Sequence, residues 1–145
     1  MESEFPKQEL RVLHVDDDAV DAMNLQRVFK KLNVKHEVKH VSNGQEALTL
    51  MRNEPRFVPH VIVLDLNMPV LSGFEFLEVL RMDAELCSVA VFVLSSSDHS
   101  ADIENAYGHH VAGYFLKPLS PVKYNMVIKR LVEIWAVSEF PVLKR

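Results

Sequence analysis

Three aspartates in a row, Asp16, Asp17 and Asp18, stand directly after the apolar run Leu10 to Val15, and a lone Asp65 closes a second run, Val61 to Leu64. Carboxylates crowded together repel one another unless a cation lies among them, and Mg²⁺ accepts a set of oxygen ligands of this kind. With the cation in place, an aspartate oxygen is free to attack phosphorus. Ser95 follows a further apolar run and Lys117 another, just ahead of Pro118. A hydroxyl and an ammonium are what the oxygens of a phosphoryl group on Asp65 would need. A single acid at a strand end is ordinary turn chemistry. Three acids, one hydroxyl and one lysine on a single rim form a far more specific combination, provided that the strands carrying them are neighbours.

The segments between these residues bear on that condition. Leu10 to Val15 reads as a strand and Ala19 to Leu32 as a helix, with Met23, Leu25, Val28, Phe29 and Leu32 at helical spacing and Asp18 as its cap. Lys35 to Val41 alternates weakly as a second strand ended by Ser42-Asn43-Gly44, and Gln45 to Asn53 is a helix with Ala47, Leu48 and Met51 facing inward. Val61 to Leu64 is so uniformly apolar that both faces of its sheet must be covered. A helix from about Gly73 to Met82, a strand Ser88 to Leu94, a helix near Asp98 to Tyr107, a strand Ala112 to Leu116 and a last helix from about Ser120 to Val137 complete the chain. Five strands alternating with five helices predict an α/β fold, an open parallel sheet doubly wound with helices on both faces. Ligands of such sheets bind outside the carboxyl ends of the strands. Asp16, Asp17, Asp65, Ser95 and Lys117 all fall at that edge.

Composition narrows the classes. The 145 residues fit one domain, 1–145, with a core of about 10–137 and an apolar tail 138–145. A net charge of -4, from 16 basic and 20 acidic residues, advertises no surface for duplex DNA. Cys87, the sole cysteine and a small residue near a strand start, has no disulfide or metal-motif partner, which points to a reducing compartment. Met1 to Gln8 is polar, and no apolar run reaches membrane-spanning length, so the expectation is a cytoplasmic protein with no membrane partner. Seven histidines are scattered: His14 within the first strand, His36 and His40 flanking the second, His60 before the third, and His109 and His110 adjacent in a loop. His36 and His40 are four apart but fall on a strand, and no two lie on one helix, which argues against a transition-metal site. The absence of glycine between Leu10 and Ala19 argues against a nucleotide or flavin carrier.

The Asp16-Asp17 pair, the segment Asp65-Leu66-Asn67-Met68-Pro69 with Gly73 beyond it, Ser95 after its strand and Lys117-Pro118 resemble the response-regulator receiver domain of two-component signalling. The likeness runs from Leu10 to Val137. It implies a flavodoxin-like sheet of order 2-1-3-4-5 and a protein that accepts phosphate on Asp65 from the phosphohistidine of a sensor histidine kinase. It further implies that Asp17 ligates Mg²⁺ directly, Asp16 largely through water and Asn67 through its backbone carbonyl, with Asp65 completing the metal site. Lys117 would pair with the Asp65 carboxylate or its phosphate, across a cis bond to Pro118. Ser95 would be the switch hydroxyl and Tyr114 the aromatic that turns inward when it moves, the plain alternative being a half-buried strand aromatic. Asn67 and Ser97, two residues beyond the acceptor and the switch hydroxyl, would tune phosphoform lifetime; both are small or polar, so moderate autodephosphorylation is expected.

Within that family the chain looks most like the stand-alone receivers that partner bacterial phytochromes, through Lys31-Leu32-Asn33, the segment Asn53 to His60 and a Trp-containing tail. Ile128, Leu131, Val132, Ile134, Trp135 and Val137, followed by Phe140-Pro141-Val142-Leu143, exceed what one core-facing stripe requires. Either a homodimer forms through the C-terminal helix and tail, or the tail folds back on its own domain. The competing function is a magnesium-dependent phosphohydrolase with an aspartate nucleophile. Such an enzyme needs an acid two residues past the nucleophile, where this chain has Asn67. The reading is therefore a phosphoacceptor and not an enzyme of multiple turnover.

Overall fold

Five strands and five helices alternate along the chain: β1 (Leu10–Val15), α1 (Ala19–Lys31), β2 (His36–Val41), α2 (Gly44–Asn53), β3 (Val61–Leu64), α3 (Gly73–Met82), β4 (Ala90–Ser95), α4 (Ser100–Gly108), β5 (Gly113–Leu116) and α5 (Pro121–Val137). They come from a computed structural model in which residues 9–68 and 70–141 are described. The polar N-terminus Met1 to Gln8, Pro69, and the tail residues from Val142 onward, including the expected Val142-Leu143 pair, lie outside the described residues.

All pairings are parallel, and the strand order is β2-β1-β3-β4-β5. Val15 lies opposite both Val41 and Leu64, and Ser95 lies opposite Leu116, so the strands end level at the carboxyl edge. The ladder continues one step further: Asp65 N donates to Val15 O (2.9 Å), Asp16 N to Val41 O (3.1 Å) and Lys117 N to Ser95 O (2.8 Å). Register alone therefore brings Asp16, Asp65, Ser95 and Lys117 to one rim.

Alternation along the strands divides the interior in two. Leu13, Val15, Ile62, Leu64, Val91 and Val93 pack under α2, α3 and α4. Leu10, Val12, Val61, Val63 and Leu94 pack against Leu25, Val28 and Phe29 of α1 and Ile128, Leu131, Val132 and Trp135 of α5. Every residue of β3 is buried, as its uniform composition demands, while the edge strand β2 is only partly covered along its length.

Caps set the helix starts. Asp18 accepts from Val20 N and Asp21 N at the head of α1, Ser72 and Glu75 form a capping box on α3, and Ser120 caps α5 ahead of Pro121 at the first helical position. Several expected bounds shift. Asn43 caps α2, so the helix begins at Gly44. β4 begins at Ala90 because Cys87 and Val89 are held in turns by bonds to Asp83 O and Leu86 O; Cys87 is exposed there and outside the strand. Met23 is 61% exposed, contrary to expectation, because Leu25, Val28 and Phe29 define the buried stripe of α1 and a residue two before Leu25 points away from it. Gly73 has a steric requirement: a Cβ there would lie 2.5 Å from Leu66 Cα and 2.7 Å from Asp65 O, so only glycine lets α3 press against the segment that follows Asp65. Phe140 packs against the α1/α5 core, with its ring 5.7 Å from that of His60, which folds this part of the tail back onto its own domain.

Candidate functional site

Asp16, Asp17 and Asp65 each place a carboxylate oxygen within 4.8 Å of the other two. The backbone accounts for this: β1 and β3 are hydrogen-bonded neighbours whose last residues are paired, so the next residue of each strand turns onto the same edge. Asp17 is exposed, whereas Asp16 and Asp65 are only 1% and 8% exposed.

The two buried acids are treated in opposite ways. Burial would raise Asp16, but His14, the Asp18 backbone N–H and Lys117 together hold it well below the usual carboxylate range. Its Oδ1 accepts from Asp18 N at 2.9 Å, its Oδ2 accepts from Lys117 Nζ at 2.9 Å, and His14 Nε2 stands 3.7 Å from Oδ2. Asp65 is pushed up to about 6 by burial, with the charges of Asp16 and Asp17 adding to the rise and Lys117 and the Asn67 N–H opposing it. Asn67 N donates to its Oδ1 at 3.2 Å. Three gathered carboxylates, one of them under-compensated, suit a hard divalent cation with oxygen ligands. Adjacent groups driven apart in pKa are also how acid, base and nucleophile roles are separated in one pocket.

Lys117 departs from expectation. In place of a pairing with the Asp65 carboxylate, its ammonium donates to Asp16 Oδ2 at 2.9 Å and Asp21 Oδ2 at 2.7 Å. Burial pulls this ammonium down, but the bonds to Asp21 and Asp16 win and raise it above the ordinary lysine value. Asp21 is the site residue that sequence reasoning missed. A signal existed: it lies in the first turn of a helix capped by Asp18, so an acid there faces the rim. The Lys117-Pro118 bond is cis, as expected.

Ser95 is fully buried, and its Oγ accepts from Ser97 N at 3.1 Å. Tyr114 is half-buried against the α2–α4 core, with its Oη donating to Ser97 O at 2.8 Å. The two expected switch residues are thus joined through the backbone of Ser97. The Ser97 hydroxyl donates to Asp102 in the first turn of α4, while Asn67 Nδ2 reaches Ser96 Oγ at 3.4 Å.

The parallel register also pairs His14 with His40, which linear spacing had kept apart. Their ring centroids are 5.3 Å apart, and His40 Nε2 is 2.7 Å from the backbone oxygen of Asp16. Both rings lie beside Asp16, and the group of side chains that could hold a metal ion among the described residues is the aspartate set.

The sequence profile of the response regulator receiver domain matches residues 12–129. The chain is 30% identical over 127 residues to a probable methanogenesis regulatory protein, FilR2 of Methanothrix harundinacea, covering 86% of this chain and 82% of that protein. It is 29% identical over 130 residues to the response regulator Rcp1 of Synechocystis, covering 86% and 87%. Among solved structures, the phosphorylated cyanobacterial phytochrome response regulator RcpA superposes with a TM-score of 0.83 at 30% identity over 92% of this chain and 99% of that one. The manganese-bound form of Rcp1 gives a TM-score of 0.81 at 25% identity over 92% and 99%.

Proposed function

The chain belongs to the response regulator receiver domain family, and from that premise we propose that Asp65 is its phosphoacceptor. Receiver domains are signalling phosphoacceptors of two-component systems, phosphorylated by histidine kinases, and they hold a divalent metal at an acidic pocket. The observation that carries the assignment is the cluster of Asp16, Asp17 and Asp65 with Asp65 as its least compensated carboxylate.

An Asp65 oxygen attacks the phosphorus of the kinase's phosphohistidine. The new O–P bond forms as the P–N bond breaks, and the imidazole leaves with the bonding pair. Mg²⁺, held by Asp16, Asp17, Asp65 and the Asn67 carbonyl, would offset the carboxylate charge and that of the incoming phosphoryl oxygens; the manganese-bound form of Rcp1 supports a divalent ion in this role. The Asn67 N–H already points at Asp65, and the Ser95 hydroxyl and Lys117 ammonium complete the donors for the phosphoryl group. When Ser95 turns to the phosphate it gives up the Ser97 N–H, and Tyr114 is tied to the same residue's carbonyl. The β4–α4 loop thereby carries the change to the surface of α4 and β5. Asn67 and Ser97 set the phosphoform lifetime. With the Ser97 hydroxyl engaged by Asp102, Asn67 is the stronger of the two influences.

Residues 10–137 act in this reading as one receiver domain. The kinase is of phytochrome type, which the likeness to RcpA supports. Val122, Met126, Ile134 and Val137 on α5 are exposed and form the contact of a homodimer, to be tested by sedimentation over a range of concentrations. A cytoplasmic setting without a direct DNA partner fits the net charge of -4, and no helix among the described residues is long and apolar enough to cross a membrane.

Incubation with acetyl phosphate and Mg²⁺ tests the assignment. One label per chain, lost in Asp65→Asn, is expected; repeated turnover of a small phosphoester would instead establish the phosphohydrolase.

A further inference from the structure

Lys117 is the cation that a phosphoryl group on Asp65 calls for, yet it is engaged elsewhere. Its Nζ sits 2.7 Å from Asp21 Oδ2 and 2.9 Å from Asp16 Oδ2, and among the described residues no ion pair joins it to Asp65. The two acceptors differ in place. Asp16 belongs to the carboxylate cluster around Asp65, while Asp21 stands outside it, in the first turn of α1. A charge at that position is favoured by the helix N-terminus and is carried on a rigid element. Lysine, by contrast, is a compact charge on a flexible stem with three donors, able to keep one partner while exchanging another.

We propose that Asp21 is a latch: it holds the Lys117 ammonium in a resting position, and phosphorylation of Asp65 proceeds with Lys117 pivoting on Asp16 from Asp21 to the phosphoryl oxygens. Asp21 is on this account a positioning residue for phosphotransfer, and the inference rests on Asp65 being the acceptor. The driving force is charge. A phosphoryl group brings nearly two negative charges to Asp65, more than the single charge of Asp21 can match for one ammonium. The Lys117 and Asp21 side chains are 22% and 27% exposed, so their pair is partly screened and exchangeable.

A latch made only in the unphosphorylated protein raises the barrier to phosphorylation and leaves hydrolysis of the phosphoform untouched. Removing it should therefore speed labelling by about fivefold, the equivalent of about 1 kcal/mol. The experiment uses the full chain with Mg²⁺ and acetyl phosphate. In that reaction an Asp65 oxygen bonds to phosphorus, the bond from phosphorus to the bridging oxygen breaks, and acetate leaves with the electron pair. Initial rates are followed by intact mass, and hydrolysis is followed after donor removal. Asp21→Asn should label about fivefold faster with an unchanged hydrolysis rate, and Asp21→Glu should return the slow labelling. Asp18→Asn, which removes an exposed charge at the same helix end but keeps the cap, should match wild type. A folded Asp21→Asn that labels no faster overturns the latch, as does an equal gain in Asp18→Asn, which would trace the effect to charge repulsion of the donor. If Asp21→Asn does not fold, Asp21→Ser carries the same reading. Failure of the wild type to label, or label that persists in Asp65→Asn, overturns the acceptor assignment instead.

Discussion

Two long cations sit at opposite edges of the sheet, and they are held in different ways. At the amino edge, Arg81 at the end of α3 spreads its guanidinium over four backbone carbonyls: Nε to His109 O at 2.7 Å, Nη1 to Cys87 O at 2.9 Å and Val89 O at 2.7 Å, and Nη2 to His110 O at 3.0 Å. At the carboxyl edge, Lys117 is shared between two carboxylates and feels the charge of a third, Asp65. A planar fork satisfying fixed carbonyls has no other arrangement to adopt, so Arg81 pins the loops that enter β4 and β5. A point charge among competing carboxylates can redistribute, so the same sheet that is clamped at one edge is responsive at the other.

The contrast can be broken most directly at Asp65. Asp65→Asn should abolish stoichiometric labelling by acetyl phosphate altogether, read by intact mass. Lys117→Met should slow labelling by about 10²-fold, the usual cost of losing one donor to developing charge, while the folded state persists. Arg81→Met should do the reverse. It strands four carbonyls in two loops and should cost about 3 kcal/mol in urea titrations, with the labelling rate of the folded protein unchanged.

Acidity sharpens the comparison further. Asp65 keeps its proton up to about 6 in the fold, while an unfolded chain releases it near the ordinary carboxylate value of 3.8. Between those values the folded state binds more protons, so stability of the metal-free protein falls as pH rises through that window, by about 2 to 3 kcal/mol. Asp16 acts in the opposite sense at more acidic pH, since its lowered value adds stability that is lost only as pH falls well below the ordinary range. Urea titrations in chelator at the two ends of the window, and again for Asp65→Asn, should show the slope and its loss; a divalent cation should flatten it as well. The smallest effect is expected at Gly73→Ala. Its added methyl meets backbone atoms at 2.5 and 2.7 Å, and it should cost about 2 kcal/mol and slow labelling by displacing Asp65.

Much of this was legible in the residues. Val61 to Leu64 reads as a strand covered on both faces and is one, and Asp18 reads as the α1 cap and is one. The expected rim of Asp16, Asp17, Asp65, Ser95 and Lys117 needs only strand ends and a parallel sheet, and those follow from short apolar runs alternating with capped amphipathic segments. Met23 fits the helical period yet is exposed, because such a pattern tolerates more than one stripe until packing chooses. Asp21 and His14 differ from it: the first-turn place of Asp21 and the strand place of His14 are legible, but the partners that give them a role, Lys117 for one and Asp16 with His40 for the other, are set by the fold.

The order of elements, their caps and the chemistry offered at the strand ends were thus determined by sequence alone, since propensity, capping and hydrophobic period act over a few residues. Tertiary structure decided which charges meet. Lys117 and Asp21 are 96 residues apart, and His14 and His40 are aligned only by the β1–β2 register. Coulomb energies at a half-buried rim change over a fraction of an ångström to a few ångströms, so the choice of Asp21 over Asp65 as the resting partner of Lys117 depends on helix placement and strand register that no local pattern encodes.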